Sequence, residues 1–244
     1  MRTLSKHVDY LKALKGFVSI LRDPDDTPSI FDITNGLRNT TAFQRMLATM
    51  RRDPECARQM AERYQGPPPD LAALAKLPEG TLGRCFAERM LAQGLKVVFY
   101  PEFPVVDDLS YIEMRLRSTH DVWHTVTGFD TTPAGELGLQ AFMLAQLDAP
   151  LPAALIGGGL LRSLIGEPPP GLETRTVMAE VARGFELGRT ARPLFAQKWE
   201  AGWDRPLVEW QRELGLPVRG GEPAATRAGS RAAAPAPAPA RAHA

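Results

Sequence analysis

The sequence His120-Asp121-Val122-Trp123-His124 places two imidazole rings one helical turn apart, a spacing at which both can bind the same metal ion. At ~100° per residue the two rings lie ~40° apart around a helix and point to the same side. The Thr132-Pro133 pair predicts the start of the next helix, and Glu136 falls in its first turn, twelve positions after His124. A turn of this length can return the Glu136 carboxylate to the imidazoles. Two neutral imidazoles with the carboxylates of Asp121 and Glu136 would neutralise a divalent cation.

Asp121 and Glu136 differ in how directly the pattern supports them as ligands. On an ideal helix the Asp121 side chain points ~100° away from His120, which favours an indirect contact through a ligand or a water. A histidine pair on a helix edge is often structural, and an acid in a first helical turn is stabilised by the helix dipole without any metal. The histidine pair, the turn and the glutamate together favour a metal site.

The elements that position these residues are predicted to be helices. The sequence predicts helices over residues 4–21, 29–64 with a break at Asp53-Pro54, 70–76, 82–93 and 107–127, and an extended link over 96–106. Strand signals are otherwise missing. We therefore predict an all-α fold with a single multi-helix domain over residues 1–219. The Ala/Pro-rich C-terminal tail, residues 220–244, has almost nothing to bury and is predicted to be disordered.

Composition and charge exclude several classes of partner and location. The formal net charge is +1, so no sequence-wide field attracts nucleic acid, and no nucleic-acid partner is predicted. No stretch approaches the ~20 apolar residues that a membrane-spanning helix needs. Acidic residues near the N-terminus do not favour a mitochondrial presequence, and Cys56 and Cys85 are too few for a disulfide framework. These features predict a cytoplasmic protein that at most lies peripherally on the inner membrane.

Several motifs around the histidines resemble those of one known family. The pattern His-Asp-x-x-His, followed by eleven residues and Glu136, resembles the metal signature of the coenzyme Q biosynthesis protein 4 family. The remaining motifs that match this family lie at residues 78–83, 111–117, 151–152, 157–159, 184–189, 192–194, 199–203 and 212–215. The resemblance extends from about residue 16 to residue 216, and the chain is identified as a member of this family.

The resemblance implies a role in ubiquinone biosynthesis and a ligand set. His120, Asp121, His124 and Glu136 occupy the positions of the family's proposed zinc ligands. The implied reaction is an oxidative decarboxylation, in which the carboxylate of a polyprenyl-hydroxybenzoate is replaced by a hydroxyl group. Iron or manganese would be required if the ion itself exchanges electrons, because zinc is not redox-active. The implied partners are the polyprenyl-hydroxybenzoate or another quinone lipid, other ubiquinone-biosynthesis proteins, and a second copy of the chain in a homodimer.

Two further segments and two alternative functions complete the expectations. Residues 151–165 are apolar and rich in glycine, so they are a candidate channel for a polyprenyl tail, although an ordinary core helix would have the same composition. Trp199, Trp203 and Trp210 are predicted to form one helical stripe for core or interface contacts. A non-catalytic scaffold that binds metal and lipid is the main alternative to an enzyme. A metallohydrolase is disfavoured because Asp121 is shorter than the glutamate base of His-Glu-x-x-His peptidases.

Overall fold

In the computed structural model of the chain, the described part consists of helices and the loops that connect them. The structure describes residues 40–95, 104–165, 167–168 and 170–218, together with residues 15, 33–34 and 36–38. The helices are α1 (Thr41–Arg52), α2 (Pro54–Glu62), α3 (Leu71–Leu74), α4 (Leu82–Ala92), α5 (Asp108–Thr127), α6 (Pro133–Leu147), α7 (Pro150–Leu164), α8 (Thr174–Thr190) and α9 (Leu207–Leu214), with a 3-10 turn at Trp199–Ala201. Within the described ranges the only β pairing is an isolated bridge between Thr81 and Pro206. The all-α prediction is confirmed.

The helix boundaries follow the local signals in the sequence. The break at Asp53-Pro54 is confirmed, since the Asp53 carboxylate accepts from the Cys56 backbone N–H at 2.9 Å and Pro54 opens α2. Thr81 caps α4 as predicted. The predicted helix over 4–21 (except Lys15), residues 96–103 of the predicted link and the predicted tail over 220–244 lie outside the described residues. No described helix has the length and apolar character needed to cross a membrane.

Helix α5 lies at the centre of the main apolar core. Tyr111, Ile112, Trp123 and Val126 on this helix are almost completely buried. The core around them also includes buried side chains from α1, α4 and α6, among them Met50, Leu82, Phe86, Leu139 and Phe142. Because α5 is covered by several neighbours, its position is fixed along most of its length.

Helices α6 and α8 pack with their backbones in contact. A Cβ atom added at Gly184 would collide with the carbonyl oxygen of Gly138, and one added at Gly188 would collide with that of Phe142. The two glycines therefore allow α8 to approach α6 closely along one side. The packing holds α6, which carries Glu136, in a defined position.

The prediction of a single tryptophan stripe is wrong. Trp199 begins the 3-10 turn, Trp203 lies in the connection after it, and Trp210 belongs to α9. Pro206 at the start of α9 prevents one helix from running through the segment. The buried rings of Trp199 and Trp210 lie 4.9 Å apart between centroids, while Trp203 stacks on Phe86 at 5.3 Å. These tryptophans serve the interior of the protein.

Candidate metal centre

Helix α5 presents both histidines near its C-terminal end. The helix begins with a capping box between Asp107 and Ser110. It ends at Gly128, which has a φ of 73°, a left-handed conformation that favours glycine. His120 and His124 therefore lie on the last two turns of a helix with defined ends.

The connection to α6 brings Glu136 back beside the histidines. Thr132 accepts the Gly135 N–H at 3.2 Å as the predicted cap, and Pro133 opens the helix. A side chain at Gly135 would collide with the backbone oxygen of Asp130, so the turn and the helix are in direct contact there. Glu136 consequently lies in the first turn of α6, where the helix dipole favours its carboxylate.

Three side chains bring potential ligand atoms together at this corner. The Nε2 atoms of His120 and His124 lie 3.1 Å apart. Glu136 places Oε2 at 3.4 Å from His120 Nε2 and Oε1 at 3.1 Å from His124 Nε2. Ligand atoms bound at ~2.0–2.1 Å to a tetrahedral ion lie about 3.3–3.4 Å apart, so the observed spacings suit a first coordination shell. Among the described residues these three form the only such group of histidine, cysteine and carboxylate side chains.

The backbone carbonyl of Phe129 fixes the tautomer of His124. His124 Nδ1 lies 3.1 Å from the Phe129 carbonyl oxygen, which can only accept, so Nδ1 donates its hydrogen there. In a neutral ring the Nε2 lone pair is then available to a metal ion. The turn that follows α5 is therefore sufficient to set the tautomer of His124 for metal binding.

Exposure is distributed unevenly over the three side chains. His124 is 1% exposed, whereas the side chains of His120 and Glu136 are 31% and 37% exposed. One side of the centre is therefore sealed by protein and the other is open. An ion bound at this corner would be anchored from inside and approachable from outside.

Mutual contacts shift the pKa values of the cluster. Burial by itself raises the pKa of Glu136, but the hydrogen bonds and charges of the two histidines outweigh it and hold the pKa well below its usual range. Burial lowers the pKa of His120, yet the hydrogen bond and charge of Glu136 raise it overall. These shifts favour a protonated His120 beside an ionised Glu136, and a divalent cation can replace that positive charge.

Asp121 does not belong to this group of converging ligand atoms. The structure brings together His120, His124 and Glu136 of the four predicted ligands. The Asp121 carboxylate contributes at longer range, since its charge raises the pKa of His120 after the larger effects of burial and Glu136. The position agrees with the indirect role that helical geometry favours.

Arg89 is a neighbour of the centre that sequence reasoning missed. Its Nη2 donates to the Phe129 carbonyl oxygen at 2.8 Å, the same oxygen that accepts from His124. Arg89 lies on α4, forty residues before Phe129 in the chain. The local pattern around Arg89 contains no signal for this contact, because it exists only after α4 packs against the end of α5.

Comparisons with known proteins point to one family. The model of the coenzyme Q (ubiquinone) biosynthesis protein Coq4 family matches residues 7–219. The mitochondrial ubiquinone biosynthesis protein COQ4 homologues of Rattus norvegicus and Xenopus laevis are 30% identical over 68% of this chain and 28% identical over 82% of it. These alignments span 63% and 69% of the two relatives, and the alignment with the Aedes aegypti homologue spans 53% of that relative.

A solved structure shows a similar fold. The crystal structure of a protein from Nostoc punctiforme named for ubiquinone biosynthesis superposes with a TM-score of 0.75 at 36% identity. The match covers 87% of this chain and 100% of that one. The helical arrangement described above therefore also occurs in a bacterial protein.

Proposed function

The chain belongs to the coenzyme Q (ubiquinone) biosynthesis protein Coq4 family, and we propose from this that it acts in ubiquinone biosynthesis as a metal-dependent oxidative decarboxylase. The substrate would be a polyprenyl-hydroxybenzoate. The observation that carries the proposal is the convergence of His120, His124 and Glu136, with ligand atoms 3.1–3.4 Å apart. A partly exposed centre supports an enzyme, because a structural metal site is normally closed by protein ligands.

The proposed reaction exchanges one bond on the aromatic ring. The bond between the ring carbon and the carboxylate carbon breaks and releases carbon dioxide, and a bond from that ring carbon to oxygen forms. Dioxygen is the oxidant, the substrate supplies two electrons, and an external two-electron reductant supplies two more, so that the second oxygen atom leaves as water. A divalent ion at the centre would polarise the phenol or carboxylate oxygens, and iron or manganese would also exchange electrons.

The residues of the centre would have different roles in binding the ion. His124 would hold it from the sealed side, oriented by the Phe129 carbonyl. His120 and Glu136 would hold it at the open side, where the aromatic ring approaches. Asp121 would tune the charge on His120 without direct ligation.

A second, smaller apolar cluster supports a site for the polyprenyl tail. It is formed by α6, α7 and the region of α8, with buried members Ala134, Leu137, Ala141, Ile156, Leu172 and Val177. Leu137 follows Glu136 directly in the chain, and its side chain packs closely against Gly159 on α7. A polyprenyl tail bound against this cluster would leave the aromatic ring beside the metal centre, because Leu137 follows Glu136 directly.

Exposed apolar side chains near this cluster support contact with a lipid surface. Leu161, Leu164 and Ile165 at the end of α7 are 44%, 71% and 66% exposed, and Met178 and Phe185 on α8 are also exposed. We place the protein peripherally on the membrane that holds its lipid substrate. Its cytoplasmic location, the homodimer and the association with other ubiquinone-biosynthesis proteins stay predictions.

A turnover assay tests the proposed function. Full-length protein loaded separately with zinc, iron or manganese is incubated with a prenylated hydroxybenzoate labelled in its carboxylate, dioxygen and a reductant. We expect labelled carbon dioxide with a redox-active ion, and His120→Ala should abolish it. Ser118→Ala is the matched control, because Ser118 is exposed on the same helix. Tight lipid binding without turnover on any of the three metals would favour the scaffold instead.

A further inference from the structure

Arg89 and the metal ligand His124 share one backbone acceptor. The Phe129 carbonyl oxygen accepts from Arg89 Nη2 at 2.8 Å and from His124 Nδ1 at 3.1 Å. The guanidinium is therefore separated from the inner histidine by a single oxygen atom. Its charge also acts at the open side, where it adds to the lowering of the His120 pKa by burial and opposes the stronger raising effect of Glu136.

The positive charge of Arg89 has no close carboxylate partner in the part of the chain that the structure describes. Among the described residues, no ion pair within 4 Å involves Arg89, and Nη2 is its only hydrogen-bonding nitrogen. Asp121, Asp130 and Glu136 act on it only at longer range, while partial burial lowers its pKa. A guanidinium stays charged in proteins, so a fixed cation with free donors lies beside the metal centre.

Arg183 provides an internal comparison, because it also contacts Phe129. Its guanidinium carbon lies 3.8 Å from the centroid of the Phe129 ring. Unlike Arg89, Arg183 is neutralised by Glu180, with Nη2 and Oε2 2.5 Å apart. Among the described residues, Arg89 and Arg183 both contact Phe129, but only Arg183 has a carboxylate within 4 Å of its guanidinium nitrogens.

We propose that Arg89 is an anion-binding residue of the metal centre, which takes the carboxylate of an aromatic carboxylic acid while the ion takes neighbouring oxygens. This inference rests on the proposed function and adds the residue that selects the substrate class. The remaining guanidinium donors have the planar geometry that pairs with both oxygens of a carboxylate. The residue would orient the ring so that its carboxylate-bearing carbon faces the ion.

A binding experiment with two ligands tests this role without turnover. Full-length, zinc-loaded protein is titrated anaerobically with a prenylated hydroxybenzoate and with its neutral carboxamide, and affinities are measured by calorimetry. We expect the wild type to prefer the carboxylate by about tenfold to a hundredfold, the range for hydrogen bonds to charged groups. Arg89→Met should bind both ligands with nearly equal affinity, and Arg89→Lys should keep part of the preference. Arg183→Met should behave as the wild type.

The outcomes separate this inference from a structural role for Arg89. Zinc content and thermal stability are measured on every variant. Loss of zinc in Arg89→Met, an equal loss of affinity for both ligands, or an unchanged preference would overturn the inference. If Arg89→Met does not fold, Arg89→Lys decides, because an undiminished preference there contradicts bidentate binding.

The same two experiments also distinguish failure of this inference from failure of the proposed reaction. A preference that depends on Arg89, together with no release of carbon dioxide, would leave the inference standing and remove the decarboxylase. Release of carbon dioxide, together with an unchanged preference for the carboxylate in Arg89→Met, would support the decarboxylase and overturn this inference.

Discussion

Two of the acid–base clusters on helix α5 differ in their exposure and in the type of cation that they contain. In the first, Arg115 pairs with Glu200 through distances of 2.5 Å and 3.0 Å, and the two side chains are 1% and 8% exposed. In the second, His120 and His124 meet Glu136, and two of the three side chains are about one third exposed. One cluster is closed on all sides, and the other faces outward.

The difference shows which cluster maintains the fold and which is available for chemistry. Arginine does not lose its proton in proteins, so Arg115 keeps its positive charge, and it also donates to the Gln197 carbonyl at 2.7 Å. Imidazoles lose their protons near neutral pH and then become metal ligands. The first cluster is a fixed connection between α5 and the Trp199–Ala201 turn, and the second can exchange a proton for a cation.

Replacing the carboxylate of the closed cluster should have the largest effect on stability. Glu200→Gln leaves the Arg115 charge buried without its counter-charge, and breaking a buried pair in this way costs about 3–5 kcal/mol of unfolding free energy. Metal affinity should stay the same. Denaturant unfolding of the metal-free protein measures the first quantity. If the unfolding free energy fell by less than about 1 kcal/mol, water would have access to this pair. The contrast between a buried and an exposed cluster would then be wrong.

The same substitution at the open cluster should change metal binding instead. Glu136→Gln keeps the shape of the side chain but removes the charge, so we expect metal affinity to fall about a hundredfold or more, beyond the usual effect of an outer partner. The unfolding free energy of the metal-free protein should fall by less than in Glu200→Gln, since solvent screens the partly exposed side chain. Competition with a chelator measures the affinity. Unaltered affinity would contradict the ligand role of Glu136.

The stability contributed by the open cluster should depend on pH. The pKa of His120 is raised in the metal-free protein, so its pairing stabilises the fold below its unfolded pKa of about 6.5 and is lost as the pH rises through the folded value. The pKa of Glu136 is lowered, so its contribution is present above about pH 4.3 and is lost as the pH falls.

Metal affinity provides the measurement of this pH response. As the pH falls, His120 becomes protonated and metal affinity should decrease by up to about tenfold per pH unit. Because the pKa of His120 is raised, this decrease should begin at a pH above about 6.5. In Glu136→Gln the onset should move to lower pH, because the cause of the raised pKa has been removed. Glu200→Gln serves as the control, and an identical onset in all three proteins would contradict the coupling.

Asp121 should show the smallest effect of the four predicted ligands. Because its carboxylate is not part of the converging group, Asp121→Asn should lower metal affinity by about tenfold or less and leave the protein folded. Metal content and chelator competition provide the measurement. A loss as large as that of Glu136→Gln would show that Asp121 moves into the coordination shell when an ion binds.

Much of the open cluster could be predicted from the sequence because its signals are local. The four-residue spacing of His120 and His124 determines their common side, and Thr132-Pro133 determines where α6 begins. The sequence likewise predicted the break at Asp53-Pro54. Each of these features depends on backbone geometry within a few neighbouring residues.

The tertiary structure alone decided the contacts between distant segments. Arg115 and Glu200 are 85 residues apart, and Arg89 and Phe129 are 40 apart, so no local pattern marks either pair. The same holds for the tryptophans, whose regular spacing suggested one helix although Pro206 divides them between elements. The sequence by itself determined the helices and the identity of the ligand types. Tertiary packing decided which charged side chains are buried and which are exposed to solvent, because burial is a property of the whole fold.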